Sequence, residues 1–243
     1  MVDYIRRSTE HASSATYDRD LREYMIKVFN YMCGALVVTG LVSFLVLSTS
    51  IKDIFFVQTA SGGGLSTLGT IFTFAPLVFV LFFAYKIQTM RAETAKLMLW
   101  IYSTLMGISL SPIFLLYTGE SIARVFFISA SVFASMSIYG YTTKRDLTNF
   151  GSFLIMGLIG VLIASIVNMF MQSSAINFIT SILMVLIFTG LTAYDVQKIK
   201  HIYDVTPKGE VQEKAAVMGA LSLYLDFINL FLSLLRLFGN RRG

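Results

Sequence analysis

The sequence predicts an all-α membrane protein, a bundle of seven transmembrane helices, and three observations predict it. Over 243 residues the chain is 56% hydrophobic and only 14% charged, with a mean hydropathy of +0.72, whereas a soluble core of that size needs a larger polar shell. The apolar residues fall into runs of about 19 to 24, long enough to cross a hydrocarbon core of about 30 Å as helices. The basic residues gather at the ends of those runs, where they anchor helices and set orientation. Barrel strands are excluded, because the runs are too long and do not alternate.

The first 24 residues mix five acids with four arginines and lack an apolar core. They read as a polar cytoplasmic tail and not as a cleavable leader. Apolar runs follow at 25–47, 67–85, 95–117, 122–141, 150–171, 176–194 and 215–238, so residues 25–238 form the membrane domain. Residues 239–243 form a short basic C-terminal tail. The longest connections are 48–66, whose Gly62-Gly63-Gly64 reads as a flexible hairpin, and 197–214. Neither has room for a soluble catalytic domain.

Charge orders these spans. Arg6, Arg7, Arg19, Arg22 and Lys27, then Lys86, Arg91 and Lys96, then Lys144 and Arg145, then Lys198, Lys200, Lys208 and Lys214 share one side, against Lys52 and Arg124 on the other. By the positive-inside rule the N-terminus is cytoplasmic. Arg236, Arg241 and Arg242 resist that pattern. Either the last segment is a re-entrant hairpin or the early spans outvote the end, and seven crossings is the preferred reading. The net charge of +5 and pI of about 9.3 are accounted for by these anchors, which excludes nucleic-acid binding.

Small and hydroxyl residues recur within the runs: Gly107, Ser109 and Ser111; Ser129, Ser131, Ser135 and Ser137; Gly157 and Gly160. In lipid they let helices approach closely and hydrogen-bond across the contact, although hydroxyls along a watery path look the same. Pro112 kinks or ends the third span. Cys33 reads as packing, Trp100, Tyr85, Tyr117, Tyr141 and Tyr194 as interfacial anchors, and Asn168 and Gln172 as water-facing.

The chemistry lies in two acids. Asp226 falls in the middle of the last apolar run, roughly 15 Å from either end and so near the bilayer midplane. A charge there costs about 2.5 to 3.5 kcal/mol, so the carboxyl is neutral, paired, or facing a wet cavity. The other embedded acid is Asp195, at the end of the preceding run. Two carboxylates held close in a low-dielectric site cannot both ionise easily, so they share a proton and become a switch. Their oxygens also suit a hard cation such as Ca²⁺. Contact requires the sixth helix to run past Lys198 or the seventh to begin late. Asn229 shares a helix face with Asp226 and reads as a supporting polar group, and His201 as a loop residue or a tuner of Asp195. The chain contains no clustered metal ligands and no nucleophile–base pair.

The segments GISLSPI (107–113), YTTKRDL (141–147), TGLTAYDVQKIK (189–200) and ALSLYLDFINLFLSLLRLFG (220–239) resemble the Bax inhibitor-1 family of transmembrane BAX inhibitor motif proteins, in its bacterial branch. The resemblance implies a bundle whose seventh helix is surrounded by the other six, in a bacterial inner membrane. It also implies a pH-sensitive calcium leak governed by paired aspartates, which match Asp195 and Asp226. It implies no cofactor, with Ca²⁺ and protons as the species handled. A basic latch at the end of the second span has two matches here, Lys86 and Arg91. A further acid found in the second span of some relatives is missing, since 67–85 holds no Asp or Glu.

Two other readings stand beside it. Paired membrane aspartates suit an intramembrane aspartyl protease, but no Gly-x-Gly-Asp surrounds Asp226, so the chain reads as no enzyme. Some bacterial relatives are interaction proteins that modulate a membrane-anchored ATP-dependent (AAA) protease, and the polar tail is the contact that reading requires.

Overall fold

The computed structural model describes residues 2–59 and 62–242, with the side chains of 16–56 and 64–242. Helix α1 (Val2–Ser48) is followed by a short α2 (Lys52–Phe55) and a hairpin of β1 (Phe56–Thr59) and β2 (Gly62–Leu65). The hairpin is antiparallel and pairs Phe56 with Leu65 and Thr59 with Gly62. Then come α3 (Thr67–Lys86), α4 (Ala92–Leu110), a short α5 (Ile113–Leu116), α6 (Gly119–Thr142), α7 (Thr148–Met171), α8 (Ser174–Val205) and α9 (Glu210–Phe238). Seven helical segments are long and apolar enough to cross a membrane, with α4 and α5 together making the third. The protein is an all-α membrane protein.

Local signals explain several helix ends. Ser66, Thr118 and Ser173 each accept a hydrogen bond from an N–H of the first turn of α3, α6 and α8, satisfying donors that have no partner inside the helix. Pro112 ends α4, as the sequence predicts, and α5 completes the crossing. At the far end of α7, Gln172 takes the left-handed conformation (φ 51°). There Asn168 is 5% exposed, and its side-chain Oδ1 accepts from Ser173 N–H at 3.0 Å. Asn168 therefore closes a turn and does not face water.

Other expectations are corrected by packing. Trp100 lies against α1, where a Cβ on Gly34 would come within 2.7 Å of its ring, and Tyr194 covers Gly151 of α7. Cys33 is exposed. Gly107 does what its size allows, lying so close to α1 that a Cβ would meet the Thr39 carbonyl oxygen at 2.8 Å. Gly160, by contrast, has nothing within 4 Å of its Cβ direction.

Two helices run past the predicted spans. The polar stretch before residue 25 continues helically into the first span, and α8 passes Lys198 to end at Val205. The two extensions hold each other: the Tyr17 hydroxyl donates to Asp204, Lys208 donates to Asp20 at 2.7 Å, and the Tyr24 and Tyr203 rings meet at 5.1 Å.

Helix α9 is one unbroken helix of 29 residues, so the re-entrant alternative does not occur. Its basic tail returns along the bundle end at the α5–α6 connection, where Arg242 N–H donates to the Leu116 carbonyl and Thr118 N–H to the Asn240 carbonyl. In the most apolar window of α9, 67% of residues are buried, against 44% for α8 and 17% for α3 and α7. It packs on α1, α4, α6 and α8. The seventh span is thus the most enclosed, which makes a carboxylate on it a deeply placed one.

Candidate functional site: a buried aspartate beside a second

Small residues bring α8 and α9 together, for a Cβ on Gly219 would touch the Ile199 side chain at 3.0 Å. Asp226 sits between Tyr224, fully buried, and Phe227 at 3% exposure, and is itself 5% exposed. Its Oδ2 has no hydrogen-bond partner among the described residues. Asp195, on α8, is half-buried and is a charged group acting on Asp226. Asp195 lies well inside α8, which continues past Lys198 to Val205, and Asp226 in the second half of α9.

The cation that acts on both carboxyls is Lys198, exposed one turn beyond Asp195 with its ammonium 5.8 Å from the Tyr194 ring. Lys86 ends α3 and is exposed. Arg91 caps α4 and lines a polar cleft of about 730 Å³ with Lys27, Lys96, Glu210 and Glu213. Asn229 donates to the Leu225 carbonyl of its own helix at 2.8 Å. His201 is exposed, and its electrostatic partner is Asp146 in the α6–α7 connection, whose carboxyl is held below the usual range by hydrogen bonds from Thr148 with a smaller contribution from His201.

Three groups escaped the sequence reading. Gln197 is 6% exposed; it accepts from Leu147 N–H at 2.8 Å and donates to the Arg145 carbonyl at 2.8 Å. This clamp joins the segment YTTKRDL to AYDVQKIK. Replacing Gln197 by Ala strands the buried Leu147 N–H, at about 1 to 3 kcal/mol, and the part-buried Arg145 carbonyl, at about 1 kcal/mol, so a melt in detergent should show a loss of about 2 to 4 kcal/mol. Glu213, at the start of α9, binds Lys27 at 2.8 Å, Lys96 at 3.1 Å and the Tyr31 hydroxyl at 2.6 Å, tying α9 to α1 and α4. Deeper down, the Thr39 hydroxyl spends its one proton on a backbone carbonyl of Ala35 or Ser103. Tyr224 must therefore donate to it across 2.7 Å. Signals for these lay in the residue types alone, since each is a polar residue inside or beside an apolar run.

Among the described residues no group of three or more His, Cys, Asp or Glu side chains is placed to hold a metal. What the arrangement offers is a nearly dry carboxyl, a wetter one beside it, and an ammonium at the mouth. A multi-pass α-helical membrane protein with a buried acidic site is the class that fold and site define. Residues 21–243 match the family described as Inhibitor of apoptosis-promoting Bax1, and the chain belongs to that family. It is similar to a protein of Rickettsia prowazekii (strain Madrid E), 48% identical over 242 residues and covering all of both chains. It is also similar to the inner membrane protein YbhL of Escherichia coli K12, 40% identical over 225 residues, 91% of this chain and 93% of that one. A Borreliella burgdorferi protein is 44% identical over 226 residues, again 91% of this chain and 93% of the relative.

Proposed function

We propose that this protein is a pH-sensitive Ca²⁺ leak of a bacterial inner membrane, N-terminus in the cytoplasm, in which Asp195 and Asp226 form the proton switch. The observation that carries the reading is Asp226 itself, 5% exposed in the most enclosed span with an oxygen that no described residue satisfies. An ionised carboxylate so placed is costly. With one proton shared, the pair is neutral enough to lie between packed helices. Once the proton leaves, two like charges oppose each other across the α8–α9 contact, and the helices separate unless a cation compensates. Carboxylate oxygens at that point give a hard divalent ion its ligands, with water supplying the rest.

Access differs on the two sides of Asp226. Toward the basic end lie half-buried Asp195 and exposed Lys198. In the other direction the Phe227 ring meets Phe126 at 5.5 Å and Phe133 at 5.6 Å, and Phe231 meets Phe126 at 6.3 Å. These rings make a dry barrier that conduction requires the helices to open. Purified protein in Ca²⁺-loaded liposomes should release the ion with a rate that depends on pH. Asp195→Asn and Asp226→Asn should each remove that dependence, and unchanged flux with an unchanged pH response in both variants ends the reading.

A further inference from the structure

Ser137 of α6 behaves unlike its neighbours. Ser129, Ser131, Ser135 and Thr142 each donate to the carbonyl one turn back, the usual way for a helix in lipid to hide a hydroxyl, and Ser121 accepts from Asn240 N–H. Ser137 is 7% exposed, yet its hydroxyl has no hydrogen-bond partner among the described residues. Within the bundle a hydroxyl left so costs free energy without return.

Its position along α6 lies between two close approaches. One turn toward the basic end, Gly140 lies against the backbone of Ala193, whose Cα would be 2.9 Å from a Cβ there. One turn the other way, the Phe133 ring meets that of Phe227 at 5.6 Å. Asp195 follows Ala193 by two residues and Asp226 precedes Phe227 by one. Asp226 and Ser137 are therefore held between the same two anchors, where α6, α8 and α9 meet, and Asp195 lies just beyond the Gly140–Ala193 approach toward the basic end. Helix α6 runs antiparallel to α9, as its Ser121 contact with Asn240 at the opposite end requires. Side chains lean toward their own helix N-terminus, so Ser137 and Asp226 lean toward one level from opposite directions. Asp226 Oδ2, like Ser137 Oγ, is a buried polar atom without a partner among the described residues.

We propose that Ser137 is the third oxygen of the aspartate site: its O–H donates to the ionised Asp226 carboxylate, directly or through one water, and its lone pairs serve as a neutral ligand for a small hard cation, Ca²⁺ above all. The charged groups facing Asp226 are Asp195 and Lys198, both from α8; α1 and α4 bring to α9 the neutral Thr39 and Tyr102, and α6 brings Ser137 and phenylalanines. The inference deepens the proton-switch reading and rests on it for the role of the pair, although the contact itself stands apart from any flux.

The test therefore has two parts. Infrared difference spectra between about pH 5 and 8 identify the carboxylate stretching band that Asp226→Asn removes. Ser137→Ala should move that band and Ser137→Thr, which keeps the hydroxyl, should restore it. Without the donor the ionised form loses a hydrogen bond to a charged acceptor, so the midpoint of the pH response should rise by about one unit, and half-maximal flux should need about ten times more Ca²⁺. Where the Ala variant does not fold, Ser137→Cys, similar in size but a far weaker donor, takes its place. A folded variant with an unmoved band overturns the inference whether or not the protein conducts. A moved band with no pH-dependent flux in wild type keeps the contact and rejects the leak.

Discussion

Asparagine in place of Asp226 is expected to make the folded protein more stable at alkaline pH and to leave its stability in acid nearly unchanged. The carboxyl is 5% exposed with one oxygen unpartnered among the described residues, and Asn matches its shape without its charge. At low pH the wild-type group is neutral and the two proteins differ little. As pH rises wild type must either retain its proton or place a charge at the middle of a span, at about 2.5 to 3.5 kcal/mol. Repulsion from Asp195 adds to that and Lys198 offsets part of it. Unfolding followed in detergent at both extremes should show Asp226→Asn gaining about 2 to 3 kcal/mol on wild type only at the alkaline one. An equal difference at both pH values would mean that the carboxyl never ionises in the folded state or is solvated well enough not to care.

The second large effect concerns Gly140, where α6 and α8 meet backbone to backbone. Even a single Cβ would collide with the Ala193 carbonyl oxygen and come within 2.9 Å of its carbonyl carbon and Cα, and backbone cannot rotate away as a side chain can. Gly140→Val should cost at least about 3 kcal/mol, beyond ordinary overpacking, and reduce the folded fraction recovered in detergent. Because Asp195 is two residues from the collision, variants that still fold should also show an altered pH response. Gly160→Ala is the control: nothing lies within 4 Å of its Cβ direction, and Ala is the better helix former by about 1 kcal/mol, so it should melt at or above wild type. Equal losses at both glycines would contradict the packing described.

The number of crossings and the isolation of Asp226 were legible because both depend on coarse quantities: how many apolar residues stand in a row and where a charge interrupts them. The helix ends were not. Hydropathy marks Asp20, Lys208 and Asp204 as solvent-seeking and stops the helices short of them. The folded chain satisfies these groups by pairing the first half of α1 with the end of α8 and the turn that follows it, residues nearly two hundred positions apart that no local window can join. Glycines posed a related difficulty, for Gly107, Gly157 and Gly160 read alike in sequence, yet one seats a neighbouring backbone and another has open space. The serines of α6 are the sharpest case. Ser129, Ser131, Ser135 and Ser137 share one run, and only the folded arrangement separates three that bond to their own helix from the one that does not.

The account depends on the two carboxyls acting as one titrating unit. A double-mutant cycle measures that directly: Ca²⁺ release from liposomes across pH for wild type, Asp195→Asn, Asp226→Asn and the doubly substituted protein. Either single substitution should remove as much of the pH-dependent transition as both together, so that the effects are strongly non-additive. Two smaller losses that add up to that of the double substitution would show two independent acids, and no shared proton.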